Sequence, residues 1–319
     1  MSQKAIKIII SLMVVLLIAL AAVLLIPKLR QQNKTEDTTN DNNISFEEFY
    51  NALISGNKDV YAQYIDSGSD LSFAFTDGTE KGRTPLEILI MHNDIEYALK
   101  VIDNGFDLKI VENNHIDTIS SIIFSVTGIK HDVINDITLT LIEQVEDELT
   151  IADKDGYSLL MNALISGNND IALKIIEKLS NEAIDLIYNN ETALSYACMI
   201  NSDLEIIEAL VEKGADINYK GNDGNTSLLY LVMNEFDEEK LAYLIDIPNI
   251  NLNVVNQYEH SVLHIAVEYN NVEALDYLLN NTKINFDSNL YESAKEYALE
   301  LQNEYPDDET IAEIVNLFN

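Results

Sequence analysis

The chain has 319 residues, 47% of them hydrophobic, with 54 acids against 19 lysines and arginines and a formal net charge of −35. Charge of that sign and size repels nucleic acid and anionic headgroups, and favours basic partners or simple solubility. A single cysteine, Cys198, rules out an intrachain disulfide framework, and the length is ample for one extended core.

The first feature along the chain is an unbroken apolar run from Ile8 to Ile26, with Ser11 as its one polar side chain. At about 1.5 Å per residue such a run reaches roughly 28 Å, which predicts a single transmembrane helix over 8–26 behind a short tail, 1–7. Ala19-Leu20-Ala21 imitates a cleavage site, but Val23-Leu24-Leu25-Ile26 carries the apolar stretch past it, so an uncleaved signal anchor is expected. Lys4 and Lys7 precede the run and Lys28, Arg30 and Lys34 follow it, so the charge signal for orientation nearly cancels. The short leader and long acidic body resemble a bacterial signal anchor, which places the body on the exported, periplasmic or extracellular, side; a cytoplasmic body is the alternative. Residues 27–43 read as a polar flexible linker. From Ile44 onward 14 cationic residues face 51 acids, a net charge near −37.

The body, 44–319, repeats. A short polar residue opening an apolar segment recurs at Glu47, Thr84, Thr118, Ser158, Thr192, Thr226, Ser261 and Ser293, at spacings of 37, 34, 40, 34, 34, 35 and 32. Two copies nearly coincide: Asn51-Ala-Leu-Ile-Ser-Gly-Asn-Lys-Asp-Val and Asn162-Ala-Leu-Ile-Ser-Gly-Asn-Asn-Asp-Ile. A period near 33 with apolar stripes at helical spacing predicts a stacked solenoid of about eight helix pairs. In Gly82-Arg-Thr84-Pro85-Leu86 the glycine permits a tight turn, the threonine hydroxyl caps free N–H groups, and the proline is preset for the first helical position. A break at Gly56, Asn93, Gly167 or Asn270 turns the chain into a second helix, striped as in Ala274-Leu275-x-x-Leu278-Leu279. The glycines Gly68, Gly105 and Gly214 then suit a C-terminal cap. The unit from Thr118 carries about six extra residues, which predicts a distorted or protruding loop around Gly128 to Asp136. Ile311-x-x-Ile314-Val315-x-x-Phe318 in the last unit suits a capping helix.

Gly82-Arg-Thr-Pro-Leu86, Ser261-Val-Leu-His264-Ile-Ala266, Asp223-Gly-Asn-Thr-Ser-Leu228 and Gly214-Ala-Asp-Ile-Asn218 resemble ankyrin repeats, over about residues 45 to 319. The resemblance implies an all-α solenoid of paired antiparallel helices with a protruding turn per repeat, of a kind that usually binds proteins. Departures exist: only Thr84 keeps its proline, and only Ser261 keeps a histidine at the fourth place.

Chemistry of other kinds finds little support. His92, His115, His131, His260 and His264 are scattered with no metal-ligand spacing, and no metal or cofactor is expected. Cys198 falls where a small core residue belongs and reads as a buried thiol. Asp153-Lys-Asp-Gly156 and Asn222-Asp-Gly224 lack the later acidic ligand of a calcium loop and read as turns. The chain is therefore expected to be a non-catalytic, membrane-tethered scaffold with a monomeric body and a basic protein partner. The resemblance points the fifth position of each frame at the concave side, where Asn162, Tyr196, Tyr230 and Ile265 stand, with Met199, Met233 and Tyr269 nearby. Turn tips Asp155, Tyr157, Glu191, Asp223, Asn225, Tyr258 and Glu259 form the second candidate surface. The competing readings are an enzyme or catalytic-complex subunit with a cryptic site on the acidic surface, and a purely structural spacer.

Overall fold

The structure, a computed structural model, describes residues 44–110, 115–125 and 132–319. The expected tail, membrane helix and linker over 1–43 lie outside the described residues, as do residues 128–131 of the loop expected around Gly128 to Asp136. The expected placement as a single-pass membrane protein does not stand, because no helix of the described residues is long and apolar enough to cross a membrane. The longest has 17 residues and carries Glu292, Lys295, Glu296 and Glu300, short of the roughly 20 apolar residues a span needs.

Helices come in pairs, and where the residues between the two helices of a pair are described the connection is a short turn. The first helices of the pairs are α1 (Phe46–Ser55), α3 (Pro85–Met91), α5 (His115–Ser125), α7 (Leu159–Ile165), α9 (Ala193–Met199), α11 (Ser227–Met233), α13 (Val262–Glu268) and α15 (Ser288–Glu304). Their partners are α2 (Lys58–Asp66), α4 (Ile95–Asp103), α6 (Asp132–Gln144), α8 (Asn169–Lys178), α10 (Leu204–Glu212), α12 (Glu238–Asp246), α14 (Val272–Asn280) and α16 (Glu309–Leu317). Among the described residues there is no strand, only the isolated bridges Ala152–Ser158 and Tyr188–Glu191 in turns. Within the body the first helices touch one another in an unbroken row from α1 to α15, and the second helices form a row behind them from α2 to α12.

The local causes are legible. Thr84, at the N-cap of α3, accepts from the Glu87 N–H at 3.2 Å while the Glu87 carboxylate takes the Thr84 N–H at 2.6 Å, a reciprocal pair that satisfies two otherwise orphaned donors. Thr192 and Ser195 repeat the arrangement at α9. Between helices the chain reverses through one residue of positive φ, Gly56, Asn93, Gly167, Asn201 or Asn270, a geometry that glycine and asparagine tolerate best. Asp94, Asn168, Asp237 and Asn271 then cap the second helices with their side chains. Leu86, Leu194 and Leu263, at one frame position, are fully buried, and so are Ile206, Ile207 and Leu210 on α10.

Three frame residues differ from expectation. Glu47, Thr118 and Ser293 lie inside α1, α5 and α15 instead of at their caps. For α15 the cause is Asp287, which caps the helix earlier and lengthens it. The extra length of the third unit goes in part to α6, whose 13 residues already include Asp136, so that part of the expected loop is helix.

Side chains bolt several units to their neighbours. The backbone N–H of Asp107 donates to Ser72 Oγ, that of Asp216 to Asp185 Oδ1, that of Asn251 to Asn218 Oδ1 and that of Asp287 to Asn253 Oδ1, at 2.8–2.9 Å and sequence separations of 31–35. Each rung satisfies a backbone donor that the turn leaves free.

Candidate interaction surface

Glu191 opens from a turn, Tyr188 to Glu191, whose central residues Asn189 and Asn190 both have positive φ. That turn folds the carboxylate inward. Glu191 is buried, and its carboxylate accepts from Ser195 Oγ at 2.6 Å, from the Asn222 N–H at 2.8 Å and from the Tyr230 hydroxyl at 2.5 Å. A Cβ on Gly221 would stand 2.0 Å from its Oε2, so only glycine lets the next turn approach. Burial, and then the Glu191 carboxylate, push the Tyr230 hydroxyl well above its ordinary range, so it stays protonated and donates.

The stripe expected on the concave side is thus mostly interior. Tyr230, Ile265 and Asn162 are buried, and so is Tyr196, whose ring meets that of Tyr157 edge-on at 6.1 Å. Asn162 donates from Nδ2 to Ser120 Oγ and to Asp153 Oδ2. Met199, Met233 and Tyr157 are half-buried. Glu191, expected at an exposed tip, is interior for the reason given above. Asn225 is also buried and accepts from Asn256 Nδ2 at 3.0 Å.

Apart from Asp155, at the tip leading into the fourth unit, the exposed candidates lie around the sixth and seventh units. Tyr258 is 60% exposed and Tyr269 50%, and Glu259 and Asp223 are exposed as well. Asp223 fixes the tip beside it, taking a hydrogen bond from Gln257 Nε2 while its backbone carbonyl accepts the Gln257 N–H at 2.8 Å. Behind Tyr258 lies a row of rings. His260 sits 6.4 Å from Tyr258, 5.3 Å from Tyr297 and 5.5 Å from His264, the last pair stacked. His260 Nδ1 meets Glu268 Oε2 at 2.9 Å, and His264 Nε2 meets Ser293 Oγ at 3.1 Å. Burial, with a smaller contribution from His260, holds His264 down at about 4, so it is neutral near pH 7. Burial, and then the carboxylates of Glu268, Glu300 and Glu304, raise the Tyr297 hydroxyl. Rings with carboxylates around them make a surface that attracts a cationic side chain.

Among the described residues, no group of histidines, cysteines and acids could hold a metal ion. Burial pushes the Cys198 thiol up to about 12, which makes it a core residue and a poor nucleophile. In the calcium-like tip, Asp153 Oδ1 accepts the N–H groups of Asp155 and Tyr157 and closes a turn. The burial of two carboxylates, Glu191 and Glu87, was not legible in the sequence, where Glu191 reads as a turn tip. Glu87 stands at the fourth frame place, where a capping partner was the readable signal; burial raises its carboxyl above the usual range.

Comparison with known proteins agrees with this architecture. A family model described as ankyrin repeats (3 copies) matches residues 111–221 and 201–290, together more than half of the chain. The chain is 30% identical over 127 residues to an ankyrin repeat protein of fowlpox virus (strain NVSL), covering 39% of this chain and 28% of that one. It is also 30% identical over 78 residues to an I-kappa-B like protein of Microplitis demolitor bracovirus (isolate Webb), covering 24% and 45%. A 24% identity over 210 residues links it to an NAD-dependent deacetylase of Dictyostelium discoideum, covering 63% of this chain and 26% of that protein. The chain therefore spans less than half the length of each of these relatives. With paired helices, capped turns and the family match in agreement, the chain belongs to the ankyrin repeat family.

Proposed function

We propose that the repeat stack is a scaffold that holds a protein partner, that the partner is basic, and that the stack catalyses no reaction of its own. The observation that carries the reading is the exposed face of the seventh and eighth units, where Tyr258 and Tyr269 stand open beside Glu259, Glu268 and the ring row of His260 and Tyr297. Tyrosine supplies contact area at low entropic cost, and the net charge of −35 draws a basic partner from a distance. Met199, Met233, Tyr157 and Asp223 extend this surface. The buried Asn162, Tyr196, Tyr230 and Ile265 hold its shape. Similarity to an I-kappa-B like protein supports a protein as the thing bound.

The test is capture of the partner from the chain's own cells, followed by binding of the purified pair. Tyr258→Ala and Tyr269→Ala should each weaken binding by about 1 kcal/mol or more without lowering the unfolding midpoint, while added salt slows association. An acidic partner, indifferent to salt and to both substitutions, refutes the reading. A spacer with no partner would tolerate both changes in the cell.

A further inference from the structure

A second place on the stack has the features of a binding cleft. Between the second, third and fourth units lies a depression of about 340 Å³ whose lining includes Met91, Phe124, Asp117, Asp153 and Asp155. Its apolar walls are large side chains left open: Met91 is 44% exposed and Phe124 43%. These belong to successive first helices, α3 and α5, so the two walls stand one repeat apart.

The charges of the cleft are unequally committed. Arg83, on its rim, is neutralised by Glu80 at 3.2 Å and also donates to Met91 Sδ and Ser121 Oγ. Asp153 is used up: one oxygen closes the turn, and the other takes Asn162 Nδ2 at 2.6 Å. That bond fixes the sense of the Asn162 amide, since a carboxylate needs its N–H side, and it leaves the buried Asn162 Oδ1 without a hydrogen-bond partner just behind the lining residues Ser120 and Asp153. Asp117 spends Oδ1 on the Lys154 N–H at 2.8 Å, and Asp155 lies exposed at the tip. The acceptors in and behind the cleft thus outnumber its donors, with Lys154 as the opposing cation.

We infer that this cleft seats a cationic side chain of a basic polypeptide, with its stem between Met91 and Phe124 and its head group at Asp117 and Asp155. The inference rests on the scaffold reading above but concerns a different surface from that of Tyr258 and Tyr269. Apolar walls with an acidic end match the two parts of an arginine or lysine side chain, and a ring face adds attraction for the cation. The acidic field of the whole chain raises the local concentration of such a segment. Neither a free acid nor an apolar peptide would satisfy both ends of the cleft.

The test uses the full-length chain and a fluorescein-labelled nonapeptide of alternating arginine and leucine, followed by fluorescence anisotropy at about 0.15 M salt. Because any basic peptide feels the overall charge, the reference is Glu273→Gln, an exposed neutralisation on α14 away from the cleft. The double variant Asp117→Asn, Asp155→Asn should bind about tenfold more weakly, Phe124→Ala about fivefold more weakly, and Glu273→Gln within about twofold of the parent. Lys154→Gln should tighten binding. Asn at 117 keeps an oxygen for the Lys154 N–H, so the fold survives, and an unchanged thermal midpoint verifies it. Cleft variants that weaken the peptide no more than Glu273→Gln does would overturn the inference. Loss confined to Tyr258→Ala and Tyr269→Ala would also overturn it, while leaving the scaffold reading standing.

Discussion

Replacing Glu191 by alanine tests whether a turn residue can be the joint between two repeats. The carboxylate receives three hydrogen bonds, from Ser195 Oγ, the Asn222 N–H and the Tyr230 hydroxyl. A hydrogen bond to a charged group contributes roughly 1.5–3 kcal/mol, so simple addition gives about 4.5–9. Two corrections lower that figure. Tyr230 keeps the Asn222 carbonyl at 3.2 Å and Ser195 keeps the Thr192 carbonyl at 3.1 Å, so only the Asn222 N–H is stranded. Removing a buried carboxylate also recovers part of its desolvation cost. The expected loss is about 3 kcal/mol, with Glu191→Gln losing about 1 because its amide oxygen still accepts from Asn222 and Tyr230. Urea unfolding followed by far-UV circular dichroism measures both. Glu191→Ala within about 0.5 kcal/mol of the parent, the range of an ordinary surface substitution, would refute the joint.

Other outcomes follow from the same geometry. Gly221→Ala should destabilise the chain, by about 1–3 kcal/mol as overpacking usually does, because the added methyl meets a carboxylate pinned from three sides; the same urea experiment reads it. Leu194→Ala, at a fully buried frame position, should cost roughly 2–5 kcal/mol in that assay. His264 has its folded pKa, about 4, below its ordinary 6.5, so the unfolded chain binds the proton first. Its contribution is whole above about pH 6.5 and is lost as pH falls toward 4, and His264→Gln should flatten the stability profile in that window. Cys198 should react with a thiol reagent only as fast as the stack opens, so its rate should rise steeply with urea.

The repeat was readable because its determinants are local. Thr84, Ser158, Thr192, Thr226 and Ser261 all stand at helix N-caps, as a short polar residue before an apolar segment should. The turn residues Gly56, Asn93, Gly167 and Asn270 all adopt the positive φ their types allow. Surface was harder than fold. Tyr230 sits at a frame position that suggested an open stripe, yet its hydroxyl is drawn inward by an acid 39 residues earlier. Glu191 has the composition of a solvated turn, and nothing in its neighbours along the chain announces Gly221 and Tyr230 across the seam. Glu47, Thr118 and Ser293, in the first, third and eighth units, lie inside their helices and not at the N-caps, and there the reading of helix starts failed.

The bolts between units carry a consequence for how such a chain changes length. The rungs recur in register, the fifth unit donating from Asp216 to Asp185 in the unit before it and accepting at Asn218 from Asn251 in the unit after it. A duplication or deletion of one whole unit therefore rejoins like to like at the seam, whereas one that ends inside a unit sets a donor against the wrong side chain. The near-identity of residues 51–60 and 162–171 is the kind of trace that whole-unit copying leaves. Heredity, on this account, edits the stack in steps of a repeat.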